Sequence, residues 1–135
     1  MASKFTNRYM SFCSSLDSLE KAKTRNPEDE FVLSGTVQKF SLTFDISWKV
    51  MKDIIVKYHK IQNFATGSPR ETLRTAYSVQ LIDDDMWMEM LDTRNELTHD
   101  YNGELAADSF DKIVNEYIPM FETLREKGER YMKII

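Results

Sequence analysis

Between Asp92 and Asn102 the chain gathers an arginine, an amide, one of its two histidines and a phenol: Arg94, Asn95, His99 and Tyr101. Together these side-chain types could do phosphate chemistry without a metal. A guanidinium fork matches the paired oxygens of a phosphate or carboxylate and stays charged, so Arg94 suits an anion. An imidazole titrates near neutrality, so a histidine such as His99 suits taking up or returning a proton. Asn95 could orient either group or hold a phosphate oxygen. Tyr101 adds a phenolic hydroxyl on the turn just past His99.

Whether these groups form a site depends on the helix that carries them. At about 100° per residue, Arg94 continues the line of Trp87 and Leu91, toward the core or an interface. His99 lies about 140° around and about 7.5 Å further along, on the line of Met88, Asp92 and Asn95. In an undistorted helix the two therefore diverge. They converge if the helix ends near His99 and the turn swings the imidazole back, or if two copies of the chain pool their groups. A plainer reading is an internal ion pair, because an arginine aimed at an apolar face calls for a carboxylate. On that reading the chain is an interaction bundle, and Arg94→Ala loses a few kcal/mol.

Other chemistries find too few partners. Glu96-x-x-His99 has the spacing of di-iron helical bundles, but such a site needs a second pair. The other histidine, His59, follows Val56 at that spacing. One cysteine and two distant histidines do not make a zinc site. Cys13 has no local base. No metal and no cofactor are expected.

The elements that would position the motif are helical throughout. Four glycines and three prolines in 135 residues leave few breakers. Phe5, Tyr9, Phe12, Leu16 and Leu19 alternate in steps of four and three, one apolar stripe on a helix from about Ser3 to Thr24. Asn26-Pro27 reads as the cap and first position of a long second helix to about Gln62, with Gly35 separating a short leading turn. Val37, Phe40, Phe44, Met51, Ile55 and Tyr58 are its seam, beside Trp48. Ser68-Pro69-Arg70-Glu71 is a capping box opening a short third helix with Leu73, Ala76, Tyr77 and Leu81. Asp83-Asp84-Asp85 suits the start of a fourth, whose arc holds Trp87, Met90, Leu91 and Thr98. Asn102 would cap a fifth, reaching Tyr131 and kinked at Pro119, with Phe110, Ile113, Val114, Tyr117, Phe121 and Leu124 inward. The expected fold is all-α, an antiparallel up-and-down bundle of four main helices plus one short helix, in a single domain over residues 1–135.

Composition bounds the rest. Hydrophobic content of 41% and charged content of 30% suit a soluble domain. A formal net charge of −4 sets up no global basic field for nucleic acid, though a small local site stays open. Lys49, Lys52, Lys57 and Lys60 read first as a solvated outer face of the second helix, second as a track for RNA. Met1-Ala2-Ser3-Lys4-Phe5 lacks the apolar core of a signal peptide, no run spans a membrane, and a lone Cys13 fits a reducing compartment. The expected location is the cytoplasm.

Arg94-Asn95-x-x-x-His99-x-Tyr101 resembles the Arg-x4-His-x-Tyr motif of HEPN domains, and specifically the branch described as nucleotidyltransferase substrate-binding proteins. The resemblance extends through Ser68-Pro69-Arg70-Glu71-x-Leu73-Arg74-x-Ala76-Tyr77, Leu81-Ile82-x-Asp84, Trp87-x-x-Met90-Leu91 and Tyr117-Ile118-Pro119-x-Phe121. It covers nearly the whole chain, most closely from about Phe40 to Leu124, and these blocks are far more specific than the motif alone.

The resemblance implies a helical bundle that forms a homodimer, bringing two motifs to one composite cleft, and that pairs with a minimal nucleotidyltransferase. It implies a metal-independent endoribonuclease, the toxin of a toxin–antitoxin pair, with Arg94 and His99 catalytic and Asn95 supporting. The partner would silence it by adding AMP to Tyr101, a bulky anion beside Arg94 and His99. The alternative is a non-catalytic subunit that presents a nucleotide or other acceptor to the partner.

Overall fold

Six helices, a 3-10 turn and a π-helical segment make up the computed structural model, which describes residues 3–61, 68–100 and 103–134. α1 (Lys4–Glu20) runs into the 3-10 turn Lys21–Thr24 and is followed by α2 (Glu30–Lys57), α3 (Pro69–Ser78), α4 (Met86–Leu97), α5 (Glu104–Lys112), the π segment (Ile113–Tyr117) and α6 (Ile118–Ile134). Among the described residues there is no strand, and no helix is long and apolar enough to cross a membrane. The fold is an all-α bundle.

α2 is the axis. α1 runs antiparallel to it, pairing Arg8 with Asp53 near one end and Ser15 with Thr43 further along. Thr43 donates to the Lys39 carbonyl (2.7 Å), so the Ser15 hydroxyl must be the donor in its own 2.7 Å contact with Thr43. α6 also runs antiparallel to α1: the Tyr9 hydroxyl donates to the Arg125 carbonyl, and Lys23 meets Glu122. α2 and α6 consequently run the same way, Phe40 packing on Phe121 and Tyr58 on Tyr131.

The apolar stripes meet where these helices face one another. Phe12, Leu16, Phe40, Phe44, Met51, Tyr117 and Phe121 are fully buried. The Phe40 ring stacks on Tyr117 at 5.3 Å and 23°, while Phe121 takes Trp87 edge-on at 5.6 Å. Each such pair adds about 1 kcal/mol beyond the area it buries. Tyr58, Tyr77 and Thr98, which fall on the apolar arcs by spacing, are exposed instead, at or near helix ends where the stripe runs off the core. Val114 is half-buried. Lys49 and Lys57 are exposed on α2, their ammonium groups over the Trp48 and Phe5 rings. Lys60 lies beyond the end of α2, at a positive φ.

Several boundaries differ from the sequence reading for local reasons. The Asn26 side chain accepts the Glu28 N–H in a turn, and α2 opens two residues later, capped by Asp29, whose carboxylate accepts the Phe31 N–H at 2.8 Å. Gly35 does not divide α2, which passes straight through it. The expected cap of α3 is present: Ser68 accepts the Glu71 N–H, with Pro69 at the first position. Pro119 breaks the last helix by a different device from a simple kink. Its ring crowds the carbonyl one turn back and it supplies no N–H. The turn ahead of it widens, the Ile118 N–H reaching five residues back to Ile113. That wider turn carries Tyr117 into the core.

Candidate functional site

α4 carries Arg94 and Asn95 of the motif and is tied to its neighbours on three sides. The Asp84 carboxylate accepts the Met86 N–H at 2.8 Å and starts the helix, and Trp87, Met90, Leu91 and Leu97 seat it on the core. On one flank Asp92 takes Arg70 of α3 at 3.0 Å. On another, Glu89 accepts Lys112 at 2.6 Å and the Tyr117 hydroxyl at 3.2 Å, and the Thr93 hydroxyl lies 2.9 Å from that same phenol. Burial is the main cause that pushes the Tyr117 phenol up; Thr93 opposes it and the Glu89 carboxylate adds to it. Tyr117 thus stays a neutral hydroxyl that links α4 to the π segment.

The third tie is the site itself. Arg94 lies where the Trp87–Leu91 line leaves the core, and its Nη2 donates to Asp45 Oδ1 of α2. Its Nη1 donates to Asn95 Oδ1 at 2.9 Å. The ion pair expected for an arginine on this line exists, but it is not buried: the two side chains are 26% and 35% exposed. The guanidinium is therefore held in a fixed direction while it still meets solvent. Its place in the last turn of α4 also sets it against the negative end of the helix dipole.

α4 ends at Leu97, and Thr98 closes it, its hydroxyl donating to the Asn95 carbonyl at 2.7 Å. His99 and Asp100 turn tightly, their N–H groups donating to Glu96 and Leu97. The helix ends where convergence of Arg94 and His99 requires it to end. The His99 side chain is exposed, and among the described residues no hydrogen bond joins it to Arg94 or Asn95. The structure brings Arg94 and Asn95 together and leaves His99 as a separate, open imidazole. Tyr101 and Asn102, including the expected cap at Asn102, lie outside the described residues.

Asp100 caps the start of α5. Its two carboxylate oxygens accept the Leu105 and Ala106 N–H groups at 3.1 and 2.9 Å, pinning the motif turn to the start of α5. Gly103 permits this by taking φ 73°, where a side chain would be strained. A cavity of about 450 Å³ opens beside this turn, between Leu97, Asp100, Gly103 and Ala106 and the Leu33–Gln38 stretch of α2.

Asp45 and Asp100 are the residues that spacing alone overlooks. A signal for Asp45 was present. Glu30, Asp45 and Asp53 are the acids of α2, and aspartate is a poor choice for a helix interior. Both interior aspartates answer an arginine from a neighbouring helix, Asp45 taking Arg94 and Asp53 taking Arg8.

No curated protein matches the chain. Residues 7–130 match the family model described as nucleotidyltransferase substrate binding protein like. The chain belongs to the nucleotidyltransferase substrate binding protein-like family.

Proposed function

We propose that this protein is the HEPN-type partner of a minimal nucleotidyltransferase, a single-domain metal-independent endoribonuclease toxin acting as a homodimer in the cytoplasm. The observation that carries the reading is the solvent-facing guanidinium of Arg94, fixed by Asp45 and Asn95, beside a helix end that leaves His99 open. In cleavage, His99 takes the proton of a 2′-hydroxyl, whose oxygen attacks the adjacent phosphorus. The 5′-oxygen leaves with a proton, and a 2′,3′-cyclic phosphate remains. Arg94 stabilises the charge on the non-bridging oxygens. Two copies facing each other would supply both an imidazole base and an imidazolium acid.

Control lies at Tyr101. Its phenolic oxygen attacks the α-phosphorus of ATP held by the partner, pyrophosphate leaves, and the phenolic proton is lost. The AMP left behind is an anion beside Arg94 and His99. Intact mass after co-expression with the partner is expected to rise by one or more AMP units, and not in Tyr101→Phe. Expression of the chain alone is expected to arrest growth, and His99→Ala to abolish the arrest; equal arrest by both would remove His99 from catalysis.

A second reading keeps the same family and drops the chemistry. Arg94 already has a carboxylate counterion, which suits a subunit that only presents a nucleotide or other acceptor to the enzyme. On that reading the two proteins co-purify with no added mass and no toxicity.

A further inference from the structure

At the corner where α1 passes through its 3-10 turn and the chain returns into α2, a shallow pocket of about 300 Å³ brings cations and an aromatic ring together. Lys21 and Arg25 stand on the first limb, Phe31 and Lys39 on the second, and Leu19 and Ala22 form an apolar floor. We propose that this pocket holds one nucleotide of a single-stranded RNA, its base against Phe31 and its flanking phosphates on Lys21, Arg25 and Lys39.

Four observations support the assignment. Phe31 is 81% exposed, against 64% for Ile134 and 59% for Met10, so its ring face is free to stack. A lone exposed phenylalanine means little by itself. Its company is what matters here. Among the described residues none of Lys21, Arg25 and Lys39 makes an ion pair, and among the arginines Arg25 shares this only with Arg130. No acidic side chain lines the pocket: Asp29 lies outside the lining with its Oδ1 accepting the Phe31 N–H, and Glu30 faces the cavity on the other side of α2. Gly35 leaves the floor open, since a Cβ there would meet nothing within 4 Å. A stacking ring beside several phosphate-binding cations, with no base-specific polar pattern, is how proteins hold single strands without reading sequence.

The location is one helix away from the motif turn. The pocket and the cavity at the motif turn lie on opposite sides of the first half of α2. They are separated by the thickness of one helix, about 10 Å. A strand crossing the first turns of α2 would touch both. A local basic pocket also reconciles RNA binding with a net charge of −4. The chemistry recognised is a base with its phosphates, which a free nucleotide shares; the choice of a strand rests on the ribonuclease reading.

The test is anisotropy of a short labelled oligoadenylate RNA on full-length His99→Ala, which binds without cutting. Phe31→Ala, at a solvent-exposed position that leaves the fold alone, is expected to weaken binding about five-fold or more. Lys21→Glu with Lys39→Glu is expected to lower the slope of log affinity against log salt by about 1.4, two phosphate contacts on a single strand. Lys133→Glu, near the end of α6 beside the opposite end of α2, is expected to change neither. Unchanged affinity and slope in the first two variants would overturn the pocket. Displacement of the RNA by micromolar AMP would overturn the strand and make it a mononucleotide site. Cleavage by the protein with His99 intact is scored separately. RNA held through Phe31 but uncut would refute the ribonuclease reading and not the pocket.

Discussion

Arg94 of α4 and Asp45 of α2 form an ion pair across the surface of the bundle, both side chains partly in water. The exposure decides what the pair does. A fully buried pair would be structural, and losing one member would strand a charge at about 3–5 kcal/mol. A partly exposed pair contributes about 1 kcal/mol or less, because water replaces the lost partner. Arg94→Ala is therefore expected to unfold within about 1 kcal/mol of wild type in urea while RNA cleavage is lost. Asp45→Ala is expected to lower kcat about ten-fold, since the guanidinium loses its direction, with KM unchanged or lower because a negative charge leaves the site. Asp45→Asn, which keeps an acceptor oxygen, is expected to recover part of kcat. A loss confined to KM would make Asp45 a binding group instead of a positioning one.

The other interior aspartate of α2 predicts a pH dependence. Asp53 is buried, one oxygen on Arg8 at 2.7 Å and Oδ2 with no hydrogen-bond partner among the described residues. Burial pushes its carboxyl up, and Arg8 only partly offsets this. A folded carboxyl that holds its proton more tightly than the unfolded one stabilises most below the unfolded value, and loses that contribution as pH rises through the folded one. Asp53→Asn cannot titrate, so it should gain on wild type as pH rises from about 4 toward neutrality. Urea midpoints at both ends of that range check this; a variant that falls further behind at neutral pH would show that the Arg8 pair dominates.

Two glycines of the long helices predict opposite signs. At Gly128 of α6 an added Cβ would sit 2.6 Å from Cε1 of Tyr9, whose ring is anchored by its hydroxyl on the Arg125 carbonyl. Gly128→Ala is expected to lose about 1–3 kcal/mol despite better helix propensity. At Gly35 the methyl meets nothing. Gly35→Ala is expected to gain about 0.5–1 kcal/mol from the unfolded chain's lost freedom. Urea midpoints of the two variants check both signs.

The period of the apolar residues was enough to read the bundle, because a helix that must bury one stripe repeats it at regular steps in the sequence. Phe12, Leu16, Phe40, Phe44 and Leu73 are fully buried where spacing puts them. Position along the chain was less legible where a side chain competes with the pattern. Asp29 captured the start of α2 from Pro27, and Pro119 turned a kink into a widened turn. The Arg94–Asp45 pair could not be read at all from spacing, since it joins residues 49 apart through the packing of α4 on α2. The motif supplies residue types, and the neighbouring helix supplies the direction in which one of them points.

RNA cleavage with a metal chelator present is the most direct measurement. The protein expressed without any nucleotidyltransferase beside it is incubated with single-stranded RNA, and the products are analysed for 2′,3′-cyclic phosphate ends. Wild type is expected to leave such ends, with Arg94→Ala and His99→Ala both at background. Wild type that cuts no more than His99→Ala would contradict catalysis at this motif and favour the proposed binding-subunit reading.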